Sequence, residues 1–338
     1  MPMKTTERSP RQSRRHAPWP DIRVRIAVTN AAPSPTAVLH AENLPHDPAQ
    51  RTDLLRRALR HVGQAGWHCT KVVIIEHCTD AEISCRFLQV QPGTDDRSRQ
   101  FEESADCGNS MIAAAVACVA ARPPVRLTIV NSATGLRIDT HFGDTSTRHV
   151  PVEADVTPRF HGQRPESFTL PGSDACWKVD GTPTTLLKAA NPYVIVRAAD
   201  LDVAVETLRK PDPGALLLDR LRRIRRHAAR HLGLPGSSEL PKIAVAEWTA
   251  AGVLTARTVY LGRWHPHLPL SAGISVAMAA LVPRSTVFRS PRDEVSVSAR
   301  ASDIQVHLAQ HDSLITRCSI NGLAGELLAE VTVPAEQQ

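Results

Sequence analysis

One stretch of the chain, SADCGNSMIAAAVACVAA from Ser104 to Ala121, sets a thiol between an acid and a glycine, just ahead of a long apolar run. Cys107 stands in a turn with Gly108 and Asn109, at the start of what the pattern predicts as a buried helix. A thiolate is stabilised at a helix start by the N–H groups that lack partners there. Gly108 lets a ligand approach the backbone closely, and Asn109 either caps the helix or hydrogen-bonds a substrate. A cysteine nucleophile of the hydrolase type needs a paired histidine, and the fifteen histidines do not single one out. A thiol used in proton transfer needs no such pair. The bland alternative is a buried structural thiol, which suits Cys85 and Cys118.

A second stretch, LPLSAGISVAMAALVPRS, echoes the first. Each opens at a turn of small residues carrying a nucleophile-type side chain, Cys107 or Ser271. Each then stays apolar for about three turns and stops at proline. The two form an internal pseudo-repeat. Two such helices would present their N-termini to a shared cleft, where free N–H groups and the helix dipole attract a carboxylate.

The elements that must position these residues are legible from periodicity. IRVRIAVT (22–29) alternates as a strand does, NAAPSPT follows as a loop, and AVLHAENLP reads as a strand and turn. DPAQRTDLLRRALRHVG predicts an amphipathic helix with Asp47-Pro48 at its start and Gly63 at its stop. TKVVIIEH and EISCRFLQVQ predict strands, and VRLTIVNSATGLRIDTHF a hairpin turning near Gly135. The second half repeats the plan: LLKAANPYVIVRA as a strand broken at Asn191-Pro192, then an Arg-rich amphipathic helix, then PKIAVAEW and VLTARTVYLGRWH as strands. EVSVSARASDIQVHLAQ and LAGELLAEVTV close the chain as strands. The arginines of the helix, Arg220 to Arg230, fall on the face opposite Leu221, Ile224 and Ala228, which predicts a solvated face. A helix apolar nearly all round, as after Cys107, predicts burial inside a curled sheet.

At 338 residues the chain is long enough for two domains. Aromatic content is only 4%, so the core rests on Ala, Val, Leu and Ile. No apolar run reaches the roughly 20 residues of a membrane helix. The net charge is +6, and residues 1–20 hold much of it, with Lys4, Arg8, Arg11, Arg14 and Arg15 against Glu7. The body is close to neutral, so a nucleic-acid footprint is not expected. The tail lacks the apolar core of a secretory signal and reads as a disordered basic segment. Seven cysteines, no CxxC pair and no signal point to reduced thiols in a cytoplasm. Thiols and histidines do not cluster at zinc-ligand spacing, so no metal is expected.

These motifs together carry a family resemblance. DCGN before an apolar helix resembles the cysteine motif of the diaminopimelate-epimerase-like fold. The ordered set resembles one branch of it, the methylaconitate isomerase (PrpF) family, which includes 4-oxalomesaconate tautomerase. HCTKVVIIE resembles that family's TSK strand, with Lys71 in the lysine position. NSATGLRID resembles its Asn-Thr-Gly hairpin, and AANPYVIVRA, with Asn191, its Asn-Pro strand. PKIAVAE and then WHPHLPLSAGISVAMAALVP resemble its second-half motif, placing His265 and Ser271. The matches run in order over about residues 22–335.

The resemblance implies an α+β fold of two pseudo-symmetric domains, each a β-roll wrapped around a central apolar helix. It implies no cofactor, a cleft between the domains, and proton transfer beside a carboxylate of a small unsaturated acid or carbonyl compound. Lys71 would abstract an allylic proton and return it one double-bond position away. Cys107 would sit opposite, as acid or orienting group. An anionic dienolate needs preorganised donors, and the helix starts at Cys107–Ser110 and at Ser271, Ala272 and Gly273 would supply them. Desolvation or a neighbouring cation favours the neutral lysine that such chemistry needs. Without the resemblance, Lys71 reads as a solvated strand-edge lysine.

The departures are as informative. The family carries an Arg-Gly-Gly-Thr-Ser-Lys-Gly loop after the first strand that grips substrate carboxylates. Here that region is NAAPSPT, Asn30 to Thr36, in which only Ser34 corresponds. A buried anion without a partner is costly, so either a less charged substrate or a non-catalytic binding module is the alternative expectation. Lys71 with Cys107 favours an enzyme. The expected division is a tail at 1–20, a first domain at 21–180 with Lys71 and Cys107, and a second at 181–335 with the Ser271 helix. No membrane or nucleic-acid partner is expected, and a homodimer is left open.

Overall fold

The computed structural model describes residues 20–91, 98–103, 105–119, 125–143, 149–155, 160–170, 174–234, 240–260, 263–299 and 304–335. The basic tail expected at 1–20 lies outside them up to residue 19, as does the proline stop at 122–124. The strands of the first half are β1 (Ile22–Thr29), β2 (Thr36–His40), β3 (Lys71–Cys78), β4 (Glu82–Gln91), β5 (Gln100–Glu102), β6 (Val125–Asn131), β7 (Arg137–Phe142) and β8 (His149–Asp155). Its helices are α1 (Pro48–Gln64) and α2 (Gly108–Val119). The second half contributes β9 (Trp177–Val179), β10 (Thr182–Lys188), β11 (Pro192–Arg197), α3 (Ala215–His231), β12 (Lys242–Trp248), β13 (Leu254–Tyr260), β14 (Arg263–Trp264), α4 (Leu270–Leu281), β15 (Glu294–Ser298), β16 (Gln305–His311) and β17 (Leu314–Val333).

Following the pairings from β17 through β1, β2, β3, β4, β6, β7 and β8 leads back to β17, so eight strands close a ring. α2 runs through it, packed on β1, β17, β3 and β2. A second course runs β10, β11, β12, β13, β15, β16, β17 around α4. Its open side is spanned by the segment 160–170, which exchanges backbone bonds with Ile315 at one end and Leu186 at the other. The twenty-residue β17 belongs to both courses: its first part pairs with β16 and its last part with β1.

The side-chain period of two decides how each strand serves two cores at once. Val73 and Ile75 of β3 face the inner cluster with Met111 and Val116 of α2, while Val72 and Ile74 face an outer cluster with Leu55 and Leu59 of α1. In the second half Ala244 and Ala246 of β12 face inward, and Ile243 and Val245 meet Leu221 and Ile224 of α3 outside. This is why these strands read as unbroken apolar runs. α2 and α4 share one inner cluster. They can, because small residues let the sheet approach: a Cβ on Gly325 of β17 would fall 2.5 Å from Val116 Cγ2, and one on Gly273 of α4 would fall 2.5 Å from Val306 Cγ2.

Several boundaries differ from expectation. LLKAANPYVIVRA is two antiparallel strands, β10 and β11, turning at Ala189–Asn191, because Pro192 cannot donate in mid-strand. VLTARTVYLGRWH folds back on itself as β13 and β14. LAGELLAEVTV is only the last part of β17. Asp47 caps α1 as expected, accepting from Gln50 N at 2.9 Å. All seven cysteines are free thiols, and no helix of the described residues is long and apolar enough to cross a membrane.

Candidate active site

Lys71 opens β3 and is 5% exposed. The parallel register sets it beside Thr36 of β2, at the same end of the ring where α2 begins. Cys107 precedes the first residue of α2, so strand end and helix start converge. A cavity of about 450 Å³ lies there, lined by residues of both halves, among them Lys71, Cys107, Lys242, Tyr193, His265 and Ser271. Arg222 and Arg225 of α3 also reach its wall, so the Arg-rich helix is not a wholly solvated face. Arg220 likewise turns inward, donating to the Leu201 carbonyl at 3.0 Å.

The thiol of Cys107 has a defined environment. Ser110 Oγ donates to its Sγ at 3.2 Å, and Thr36 Oγ1 donates in turn to Ser110 Oγ at 3.0 Å. Burial pushes the thiol up, but the charges of Lys71 and Lys242 together with the hydrogen bonds from Ser110 outweigh it, and the net shift is downward. Cys69 and Cys85 go the other way: burial pushes Cys69 up to about 12, and burial, helped by the nearby Cys118, Glu76 and Asp106, does the same for Cys85. Among the described thiols with a resolved shift, Cys107 is the one displaced downward, the direction that favours a thiolate. No histidine hydrogen-bonds it among the described residues, which counts against a hydrolase pair.

The residue before it is pinned from two sides. Asp106 accepts from Asn131 Nδ2 at 2.9 Å, at the end of β6, and from Thr134 Oγ1, in the turn that follows. From the other half, Asn191 Oδ1 accepts from Asp106 N at 2.8 Å and Asn191 Nδ2 donates to Asp106 O at 2.7 Å. Asn191 therefore spends its amide on holding the Cys107 turn and does not line the cavity. Gly108 and Asn109 do line it. Asn109 Nδ2 donates to Ala31 O at 3.0 Å, and its buried Oδ1 has no partner among the described residues.

Ser110 is fully buried behind Cys107. Ser34 does not line the cavity either. Its Oγ lies 3.0 Å from Thr70 Oγ1, which lies 3.2 Å from Tyr260 OH, and Thr70 and Tyr260 both line the cavity. The rest of NAAPSPT is a brace: Asn30 Nδ2 donates to Gly322 O, and its Oδ1 accepts from Ala324 N.

On the second half, Ser271 lines the cavity and lies 3.1 Å from Tyr193 OH. Ala272 and Gly273 do not line it, and their amides are spent on Pro269 O at 2.9 and 3.0 Å. Both are buried packing residues, and Gly273 must be small because Val306 and Leu268 press on the helix there. The amides that lack a protein partner among the described residues are those of Gly108 and Asn109 in α2 and of Leu270 and Ser271 in α4. His265 is 5% exposed. Burial, with help from Lys71, drives its pKa down to about 3, so the ring is neutral at ordinary pH. Its Nδ1 lies 2.8 Å from the His267 carbonyl oxygen and 3.2 Å from the His267 amide nitrogen.

Sequence reasoning missed Lys242, Tyr193 and Asp106. The signal for Lys242 was present: KVVIIE and KIAVAE share their pattern of lysine, four apolar residues and glutamate. Among the described residues no cluster of three or more His, Cys, Asp and Glu could hold a metal ion.

No family model matches the sequence. The (4E)-oxalomesaconate Δ-isomerase of Novosphingobium sp. (strain KA1) is 29% identical over 165 residues, which is 47% of this chain and 45% of that enzyme. The chain is thus matched to less than half of that relative's length. Among solved structures, methylitaconate Δ-isomerase superposes with a TM-score of 0.63 over 92% of this chain and 95% of its own, at 20% identity. A hydroxyproline epimerase from Agrobacterium vitis superposes with a TM-score of 0.55 over 94% and 92%, at 13% identity. The chain therefore has the diaminopimelate-epimerase-like fold, and its likeness in sequence and structure is to the methylaconitate isomerase (PrpF-like) family within it.

Proposed function

We propose that the chain is an isomerase that shifts a double bond in a small unsaturated carboxylic acid by moving one allylic proton. The observation that carries this reading is a buried Lys71 and Cys107 lining the same cavity. Lys71 takes the proton, the electron pair spreads into a dienolate, and Lys71 returns the proton at the far end of the allyl system. Cys107 faces the substrate as the group that orients it or donates on the other side. The amides of Gly108 and Asn109 are the preorganised donors toward the developing anion. These steps need side chains and backbone only, and no cofactor is invoked.

Double-bond migration suits the site better than an exchange between two thiols across one carbon. Counted from the first helical residue, the place that Cys107 holds before α2 is held by Pro269 before α4, so the second helix start has no thiol. The division into 21–180 and 181–335 remains our assignment of the two lobes; β17 crosses it to close the first ring, and residues 160–170 cross it to span the second course.

Oxalomesaconate and methylitaconate, the compounds named for the two isomerases above, are the first acids to assay. We expect turnover of one of these or of a related unsaturated acid, with solvent deuterium entering the allylic position, and loss of both in Lys71→Ala. Deuterium exchange that is untouched by Lys71→Ala would remove the role given to that lysine.

A further inference from the structure

The two lysines of the cavity occupy equivalent places. Each opens a strand that pairs in parallel with its neighbour: Lys71 beside Thr36, Lys242 beside Tyr193. Each of those register partners then contacts a serine in the first turn of the central helix. Thr36 Oγ1 donates to Ser110 Oγ, and Tyr193 OH meets Ser271 Oγ at 3.1 Å. The correspondence is not exact at the helix starts: counted from the first helical residue, Cys107 is matched by Pro269 and Ser110 by Ala272, with Ser271 one place earlier, and no thiol stands at the second start. Lys71 has a thiol at its own helix start and Lys242 has none. Yet both lysines line the cavity, and the charge of each is felt by Cys107 and His265.

The second half has thus kept a cation and two first-turn amides without keeping a proton-transfer partner. Beside them stands a neutral imidazole, which offers no competing charge. An ammonium with partnerless helix amides binds an anion. The loop at Asn30–Thr36 brings no cation to the cavity, and its polar groups are spent on Gly322, Ala324 and Thr70. We propose that Lys242, with the amides of Leu270 and Ser271, forms the anion subsite that grips the substrate's carboxylate, leaving Lys71 and Cys107 for the proton shift. The inference rests on reading the cavity as an isomerase site, and its test does not depend on turnover.

The test is residue-resolved alkylation of Cys107 by iodoacetamide in the full chain, followed by peptide mass spectrometry. Succinate is the competitor, saturated so that it cannot itself add to a thiol, and neutral succinamide is its control. Lys71, Lys242 and Ser110 all act on the Cys107 thiol, so all reactions run at one pH and each variant is compared with its own unprotected rate. Succinate should protect Cys107 where succinamide does not. Lys242→Met, with Lys242→Gln as a second neutral variant, should raise the half-protecting concentration roughly tenfold or more, the scale of a lost charge-assisted hydrogen bond. Lys242→Arg should keep most of the protection, and Lys71→Met should keep it too. Cys85 and Cys318, both 0% exposed, must stay unmodified, which certifies the fold of each variant. Protection unchanged in Lys242→Met and Lys242→Gln, lost equally in Lys71→Met, or absent from the unaltered chain would overturn the subsite. The expected pattern in a chain that turns over no acid would uphold the subsite and strike the catalytic reading instead.

Discussion

The two halves present their cavity faces through the same scaffold and arm them differently. In each, a lysine opens a strand, its parallel partner reaches a first-turn serine, and an apolar helix fills the ring behind. The first half adds Cys107, with Asp106 fixed from below by Asn131 and Thr134 and from across by Asn191. The second half puts Pro269 at that place and leaves Ser271 to Tyr193. Strand register is set by whole faces of buried side chains, and a slip would turn every one of them over. The helix start is one residue deep and free to change. That is why the sheets still match and the reactive groups do not.

The sharpest way to break the comparison is to remove each lysine in turn. Lys71→Ala should cut turnover by about 10²–10⁴-fold, the usual worth of a general base, with little change in KM. Lys242→Met should act mainly through KM, about tenfold, as loss of binding shared by ground and transition state does. Steady-state kinetics on an accepted acid separates the two.

A second test uses His265, which feels the charge of both lysines. Its folded pKa, near 3, is below that of free imidazole. Between about pH 6.5 and 3 the unfolded chain therefore binds the proton that the folded chain refuses. Stability is complete above that window and is lost as pH falls through it, by up to about 1.4 kcal/mol per unit. His265→Phe should flatten this slope in denaturant titrations. An unchanged slope would show that the ring titrates normally.

The two close approaches compare the helices themselves. Gly325→Ala drives a methyl at Val116 in the first ring, and Gly273→Ala drives one at Val306 in the second. Each should cost about 1–3 kcal/mol by overpacking, read from thermal melts. Gly108→Ala should cost less, since its nearest neighbour, at 3.1 Å, is the flexible end of Leu270. The smallest effect expected is from Ser110→Ala. Losing its hydrogen bond to sulfur removes one of the influences that lower the Cys107 thiol, so the pH midpoint of alkylation should rise while Lys71 and Lys242 still hold it down.

Much of the fold was open to reading in the residues. β1 and β4 keep the boundaries that their periodicity predicts, and Asp47-Pro48 starts α1. The apolar runs named two central helices, because only a helix enclosed by a sheet has no polar face. What could not be read was pairing. Nothing local says that β17 closes the first ring and serves the second, or that 160–170 spans the remaining gap. The site shows the same limit. Lys71, Cys107, His265 and Ser271 stand out by type and motif, and they meet at one cavity. Asn191 and Ser34 stand out equally and are spent on Asp106 and Thr70, a fate fixed by partners distant in sequence. Lys242 went unseen because a lysine before an apolar strand is ordinary until it is laid beside Lys71.

The central claim, chemistry from the first half and grip from the second, is tested most directly by proton NMR in D2O. An unsaturated acid that the unaltered chain isomerises would be followed at saturating concentration with that chain, Lys71→Met and Lys242→Met. The account predicts that deuterium incorporation at the allylic carbon disappears in Lys71→Met and persists in Lys242→Met once the acid is saturating. Incorporation that persists in Lys71→Met, or disappears in Lys242→Met at every concentration, would contradict it.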